Sequence, residues 1–222
     1  MKLIMENWRK YLKEEEGSSF HYHLSPYKFD AFEQQYNPDH RMASDIGFHF
    51  GTKQTALTVA DMLLKKGRIG DGAELYLYKV LLNNESPVTL PENRLGSWSI
   101  NNIMLQLFEG NEGEELPFVP EELVGAYWND EIITSSGKNL KNDMDFYDDE
   151  ERTQEFISWF HEIFGFDSIK YENTYEGGGT SYIILNPEHI EIKEVFPVVV
   201  KEVMSASGTP AAQVILKGKN DI

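Results

Sequence analysis

Cysteine is missing from all 222 residues. Disulfide frameworks, Cys-ligated zinc and thiolate nucleophiles are therefore excluded, and the composition suits a reducing cytoplasm. Basic charge is also scarce: 20 Lys and Arg stand against 37 Asp and Glu, for a formal net charge of −17. Such a surface repels phosphate backbones, which argues against general nucleic-acid binding. An anionic cofactor can still be held by backbone amides and local donors. No apolar run approaches the roughly 18 residues needed to cross a bilayer. The start, MKLIMENWRKYLKEEE, lacks the apolar stretch of a secretory signal. Hydrophobic residues, 41% of the chain, and aromatics, 13%, suffice for a core, so global disorder is not expected.

Residues Leu3 to Lys13 have the spacing of a short amphipathic helix, followed by Glu14 to Glu16 and a Gly17-Ser18-Ser19 linker. Phe20 to Ser25 reads as a strand ended by Pro26, with Phe29 and Phe32 packing beneath the next turn. Gly47 to Phe50 reads as a second short strand. Thr52 is placed to N-cap a helix over Lys53 to Lys65, whose apolar face is Ala56, Leu57, Val59, Ala60, Leu63 and Leu64. Ala73 to Leu82 is a strand, and helices are expected over Ile100 to Phe108, Pro120 to Trp128 and Glu150 to Phe164, with Gly165 as a helix stop. Short strands follow at Asp167 to Tyr171, Thr180 to Leu185 and Ile190 to Ile192. Val195 to Val203 and Ala212 to Leu216 form a last strand pair or a loose tail. The pattern is α+β with mostly antiparallel pairing.

Three pieces stand out for chemistry: His23-Leu24-Ser25 on the first strand, Gly47-Phe48-His49-Phe50 leading into a helix at Thr52, and Gly179-Thr180-Ser181-Tyr182-Ile183-Ile184-Leu185-Asn186-Pro187 near the end. Their order and spacing resemble ADP-ribosyltransferase-like proteins of phage and bacterial polyvalent polyproteins, in the diphtheria-toxin-like His-Tyr-Glu branch. The resemblance implies a split antiparallel β core with flanking helices, spanning residues 19–194. An irregular insertion is expected over about 85–149 and a C-terminal extension over 195–222. Residues 1–18 would form a leader. That leader resembles those of capsid-internal proteins of T-even-like phages, whose prohead protease cuts after the Glu of a (Leu/Ile)-x-Glu site. Ile4-Met5-Glu6 and Leu12-Lys13-Glu14 fit the pattern.

The same resemblance implies NAD as substrate and an ADP-ribose acceptor on a host macromolecule. The protein would act in the host cytoplasm, with packaging in the virion and contact with prohead components. His23 would anchor a ribose hydroxyl, with His21 as the alternative. The Leu24 backbone would take the nicotinamide carboxamide, supported by Ser25. His49 replaces the family's stacking Tyr, beside Phe50. Ser181 stands where the family has Glu, next to Tyr182, and Glu176 is the candidate relocated acid. No metal site is expected, since the acidic run Asp143 to Glu151 lacks EF-hand spacing.

Each residue also has a plainer explanation. A lone strand histidine is commonly a structural hydrogen-bonder. Gly177-Gly178-Gly179 reads as a hairpin loop and matches no phosphate-loop fingerprint. Tyr171, Tyr175 and Tyr182 suit a core as well as a cleft. Two further functions compete with the transferase: an inactive member of the same fold serving as a capsid-internal or host-binding protein, and a nuclease-type toxin using His23 and His49 as an acid–base pair. The chain's acidity argues against the last.

Overall fold

The structure is a computed structural model describing residues 20–33, 45–92, 97–109, 116, 118–146, 149–174, 176, 178–204 and 210–217. The expected leader helix, its two cleavage patterns, Tyr175 and Gly177 lie outside the described residues. Among the described residues, eight strands form two four-stranded sheets, and four α-helices flank them. The class is α+β. No helix among the described residues is long and apolar enough to cross a membrane.

The first sheet has the order β1-β3-β7-β8 and is antiparallel throughout. Its strands are β1 (Phe20–Ser25), β3 (Glu74–Leu82), β7 (Ile190–Met204) and β8 (Pro210–Leu216). The second has the order β2-β6-β5-β4. It consists of β2 (Phe48–Phe50), β6 (Thr180–Ile184), β5 (Ser168–Glu172) and β4 (Pro87–Thr89), with only β4 and β5 parallel. One bridge joins the sheets. The Tyr22 amide donates to the Gly51 carbonyl at 2.9 Å, and the Gly51 amide returns the bond at 3.1 Å.

Helix α1 (Lys53–Lys65) follows that bridge directly. Thr52 Oγ1 accepts from the Thr55 amide at 3.1 Å and satisfies one of the orphan donors at the helix start. The other end closes with Arg68 N bonded to Leu63 O and Gly67 N to Leu64 O, the paired bonds of a Schellman stop. Ala56 and Ala60 are small enough to let α1 lie close against Tyr22, Leu24, Leu75 and Leu77 of the first sheet.

Helices α2 (Ile100–Glu109), α3 (Glu121–Trp128) and α4 (Asp149–Phe164) cover the second sheet. They bury Ile103, Leu107, Phe156 and Phe160 against Ile169 and Ile183. Residues 85–149, expected as an insertion, thus supply strand β4 and much of the largest hydrophobic cluster. Strand β7 likewise runs unbroken across the expected 194/195 boundary. Its first half and its second both pair with β3. The charged Lys193-Glu194 and Pro197 interrupt its apolar alternation, which is why the sequence reads as two pieces. A register shift opposite Lys79/Val80 absorbs one residue and keeps the strand continuous.

Between the sheets lies an aromatic cluster of Phe32, Phe50 and Tyr78, with Phe29 and Phe48 against it. Tyr78 is fully buried yet keeps its hydroxyl paired. It accepts from the Phe29 amide at 2.7 Å, and the Phe29 carbonyl lies within donor reach at 3.1 Å. This ties the chain after β1 to the sheet, as expected for Phe29 and Phe32.

Candidate functional site

A cavity of about 520 Å³ opens where β1, β2 and α1 meet the end of the second sheet. His23, Leu24, His49, Phe50, Glu176 and Ser181 all line it. They come from four separate stretches of chain. Asp45, Glu92, Trp98, Tyr171 and Asn173 complete that end, and Met62, Leu63, Lys66 and Arg68 line it toward the C-terminus of α1.

Register explains which side chains face inward. His49 pairs with Ile183 and Tyr171 with Ser181, so all four project from one face of the second sheet. Phe48, Phe50, Tyr182 and Ile184 project from the other face, into or against the aromatic cluster. Tyr182 accordingly meets His21 edge-on, with ring centroids 4.9 Å apart, and does not line the cavity. Ser25 is buried beyond the cavity and accepts from the Tyr27 amide at 3.1 Å, holding the turn after β1. The two imidazoles therefore approach β2 differently. His49 shares its face with Ser181, whereas the His23 ring sits among Phe32, Phe50 and Tyr78 at centroid distances of 5.4, 5.8 and 6.3 Å.

His23 Nδ1 lies 2.9 Å from the His49 carbonyl oxygen. A carbonyl only accepts, so Nδ1 carries the proton, and the neutral ring leaves Nε2 with a lone pair. Burial lowers the His23 pKa from its ordinary value, outweighing the His49 carbonyl bond, which raises it. The neutral acceptor form is the one present at neutral pH. Burial likewise lowers the pKa of His49, against the raising effects of Asp45, Glu176 and the Ile46 backbone. His49 Nε2 is sealed from solvent and has no hydrogen-bond partner among the described residues. An orphaned buried nitrogen is costly.

The edge of β1 adds backbone groups. Tyr22 turns its N–H and C=O toward Gly51, away from β3. Backbone direction repeats every second residue, so Leu24 presents its own N–H and C=O along that same edge, at the cavity wall. No described residue bonds them there.

The β5–β6 connection supplies the acid. Asn173 is 3% exposed, and its Nδ2 donates to Glu176 Oε2 at 2.7 Å and to Ser181 Oγ at 3.2 Å. Its Oδ1 accepts from the Glu176 amide at 3.0 Å. Thr174 is tied to Glu92 through its amide and its hydroxyl. Thr55 Oγ1 donates to the Gly178 carbonyl at 3.1 Å, which anchors the loop to the first turn of α1. Glycine is needed at two of these close approaches. A Cβ on Gly51 would fall 2.8 Å from Thr55 Cγ2 and 2.9 Å from Ser181 Oγ. Gly179 holds φ +93° with Thr52 Cγ2 2.9 Å from where its Cβ would lie. Tyr171, buried against Trp98 at 4.6 Å between centroids, has its hydroxyl pKa pushed up by burial and then by Glu176.

Asn173, Asp45 and Trp98 were not singled out in the sequence. The legible signal for Asn173 is its position at a strand end, three residues before the acid, where Asn side chains commonly bond nearby backbone. Asp45 and Trp98 carried no such signal. The Trp98 amide donates to Asp45 Oδ1 across 53 residues of chain. Among the described residues, no group of three or more His, Asp or Glu is placed to hold a metal ion.

Comparison with known proteins finds no matching family model, no matching curated protein and no matching solved structure.

Proposed function

We propose that the protein is an NAD-dependent ADP-ribosyltransferase that modifies a host macromolecule. The observation carrying this reading is the meeting of His23, Leu24, His49, Glu176 and Ser181 on one cavity, from stretches up to 158 residues apart. Further support comes from the residue types. A carboxamide carries one acceptor and two donors, which complements the N–H and C=O of Leu24, unbonded along that edge among the described residues. The lone pair on His23 Nε2 suits a ribose hydroxyl as donor. The His49 ring, which lines the cavity, offers a flat face for stacking. These residues fit NAD.

NAD, when bound, supplies the ADP-ribosyl group, with nicotinamide as the leaving group. The chain's own contribution is to grip, orient and place charge. Leu24 and His49 hold the nicotinamide end, and His23 fixes the sugar. Glu176 places a carboxylate where positive charge develops on the sugar or where an acceptor must lose a proton. Ser181, 1% exposed, shares the Asn173 side-chain amide with Glu176 and carries no charge, so the acid function falls to Glu176.

A second reading keeps the fold and drops the turnover: a host-binding or capsid-internal protein. It is favoured by Ser181, because the strand position itself offers no carboxylate. The separating experiment is nicotinamide release by purified full-length protein with host extract as acceptor source. Release that falls steeply but measurably in Glu176→Gln supports the transferase. Calorimetric NAD binding without release supports the second reading.

A further inference from the structure

We propose that Asn173 is the positioning residue that holds the relocated acid, its one buried amide group bridging Glu176 to the strand at Ser181. The proposal rests on the transferase reading and names a residue through which that reading works.

A carboxylate on a loop has many rotamers, and fixing a Glu side chain costs conformational entropy. Something must hold it if it is to serve as well as a strand residue would. Asn173 uses nearly all its hydrogen-bonding capacity for this. Nδ2 reaches Glu176 Oε2 and Ser181 Oγ, Oδ1 takes the Glu176 amide, and its own amide donates to the Gly179 carbonyl at 2.8 Å. One planar group thus fixes the backbone and the carboxylate of the same residue. Ser181 is the counter-anchor, fully buried on β6 between β2 and β5. The chain to the cavity runs Gly51, Ser181, Asn173, Glu176. The loop beyond is tied down separately by Glu92 and Thr55. Losing Nδ2 therefore frees the carboxylate while leaving the loop in place.

Asn173→Asp is the informative variant. It keeps the shape and the acceptor for the Glu176 amide, and replaces the two N–H donors with a carboxylate oxygen whose charge repels the Glu176 carboxylate. Full-length protein is assayed for nicotinamide release, alone and in a Glu176→Gln background. Misplacement of a reacting group by about an ångström costs on the order of 100-fold. The expected result is a kcat loss of about 10- to 100-fold with KM for NAD within about twofold, shrinking to under about twofold in the Glu176→Gln background. Independent losses in the two backgrounds, or a change confined to KM, overturn the proposal. A second readout needs no turnover and no change at Asn173: the side-chain amide resonances of Asn173 in the 1H–15N spectrum of wild type and Glu176→Ala. Their displacement on loss of the Glu176 acceptor supports the bridge, and unmoved resonances overturn it. A wild type that releases no nicotinamide defeats the transferase reading alone. The amide resonances then decide the bridge by themselves.

Discussion

Gly51→Ala tests how tightly the joint between the sheets is built. Gly51 exchanges two backbone bonds with Tyr22, so its own backbone cannot retreat without opening the bridge between β1 and β2. The added methyl would sit 2.8 and 2.9 Å from Cγ2 and Cβ of Thr55 and 2.9 Å from Ser181 Oγ. Thr55 is buried, fixed by the Thr52 cap and by its bond to Gly178, and Ser181 is held by Asn173. None of these atoms is the far end of a flexible side chain. Overpacking of this kind costs about 1–3 kcal/mol. At roughly 2–4 °C per kcal/mol for a chain of this size, Tm should fall by about 2–12 °C. The control is Gly70→Ala, where an added Cβ meets nothing within 4 Å and stability should stay within about 0.5 kcal/mol. Urea unfolding followed by fluorescence reads both. Gly51→Ala as stable as Gly70→Ala would refute the close packing of α1, β2 and β6 at this point.

Thr52→Ala removes the α1 cap and should lower stability by about 1 kcal/mol, read as a shift in the urea midpoint. Tyr78→Phe leaves the Phe29 amide without its acceptor and should cost about 1–3 kcal/mol by the same measurement. Stability should also fall on mild acidification. His23 and His49 are both held below the ordinary value of 6.5, chiefly by burial, so below that pH the unfolded chain binds protons the folded one refuses. The loss begins as pH drops through about 6.5 and continues toward the depressed folded values. Urea midpoints for wild type and His23→Gln across that window check it, and a slope unchanged by the substitution would contradict the assignment.

Local signals were the most legible part of the sequence. Thr52 with the apolar stripe from Ala56 to Leu64 fixed α1 to the residue, because cap and periodicity agree. The strand at Phe20–Ser25 was equally plain. What depended on distant pairing was not. Nothing local reveals that Ile190–Met204 is one central strand, since its continuity comes from β3 on one side and β8 on the other. Nor does composition show that residues 85–149 build the larger core, because Val88, Trp98 and Ile103 gain their meaning from Ile169 and Ile183 across the fold. At the site, the strand histidines and Ser181 were visible as residues, but only the register of β2 against β6 puts His49 and Ser181 on one face. The environment of His23 was hidden, since Phe32, Phe50 and Tyr78 reach it from three different segments.

Calorimetric titration of NAD into wild type and Glu176→Gln, paired with nicotinamide release by each, tests the account most directly. It predicts saturable binding to both proteins, with release much faster from the wild type than from Glu176→Gln. Absence of NAD binding to the wild type, or equal release by the two, would contradict it.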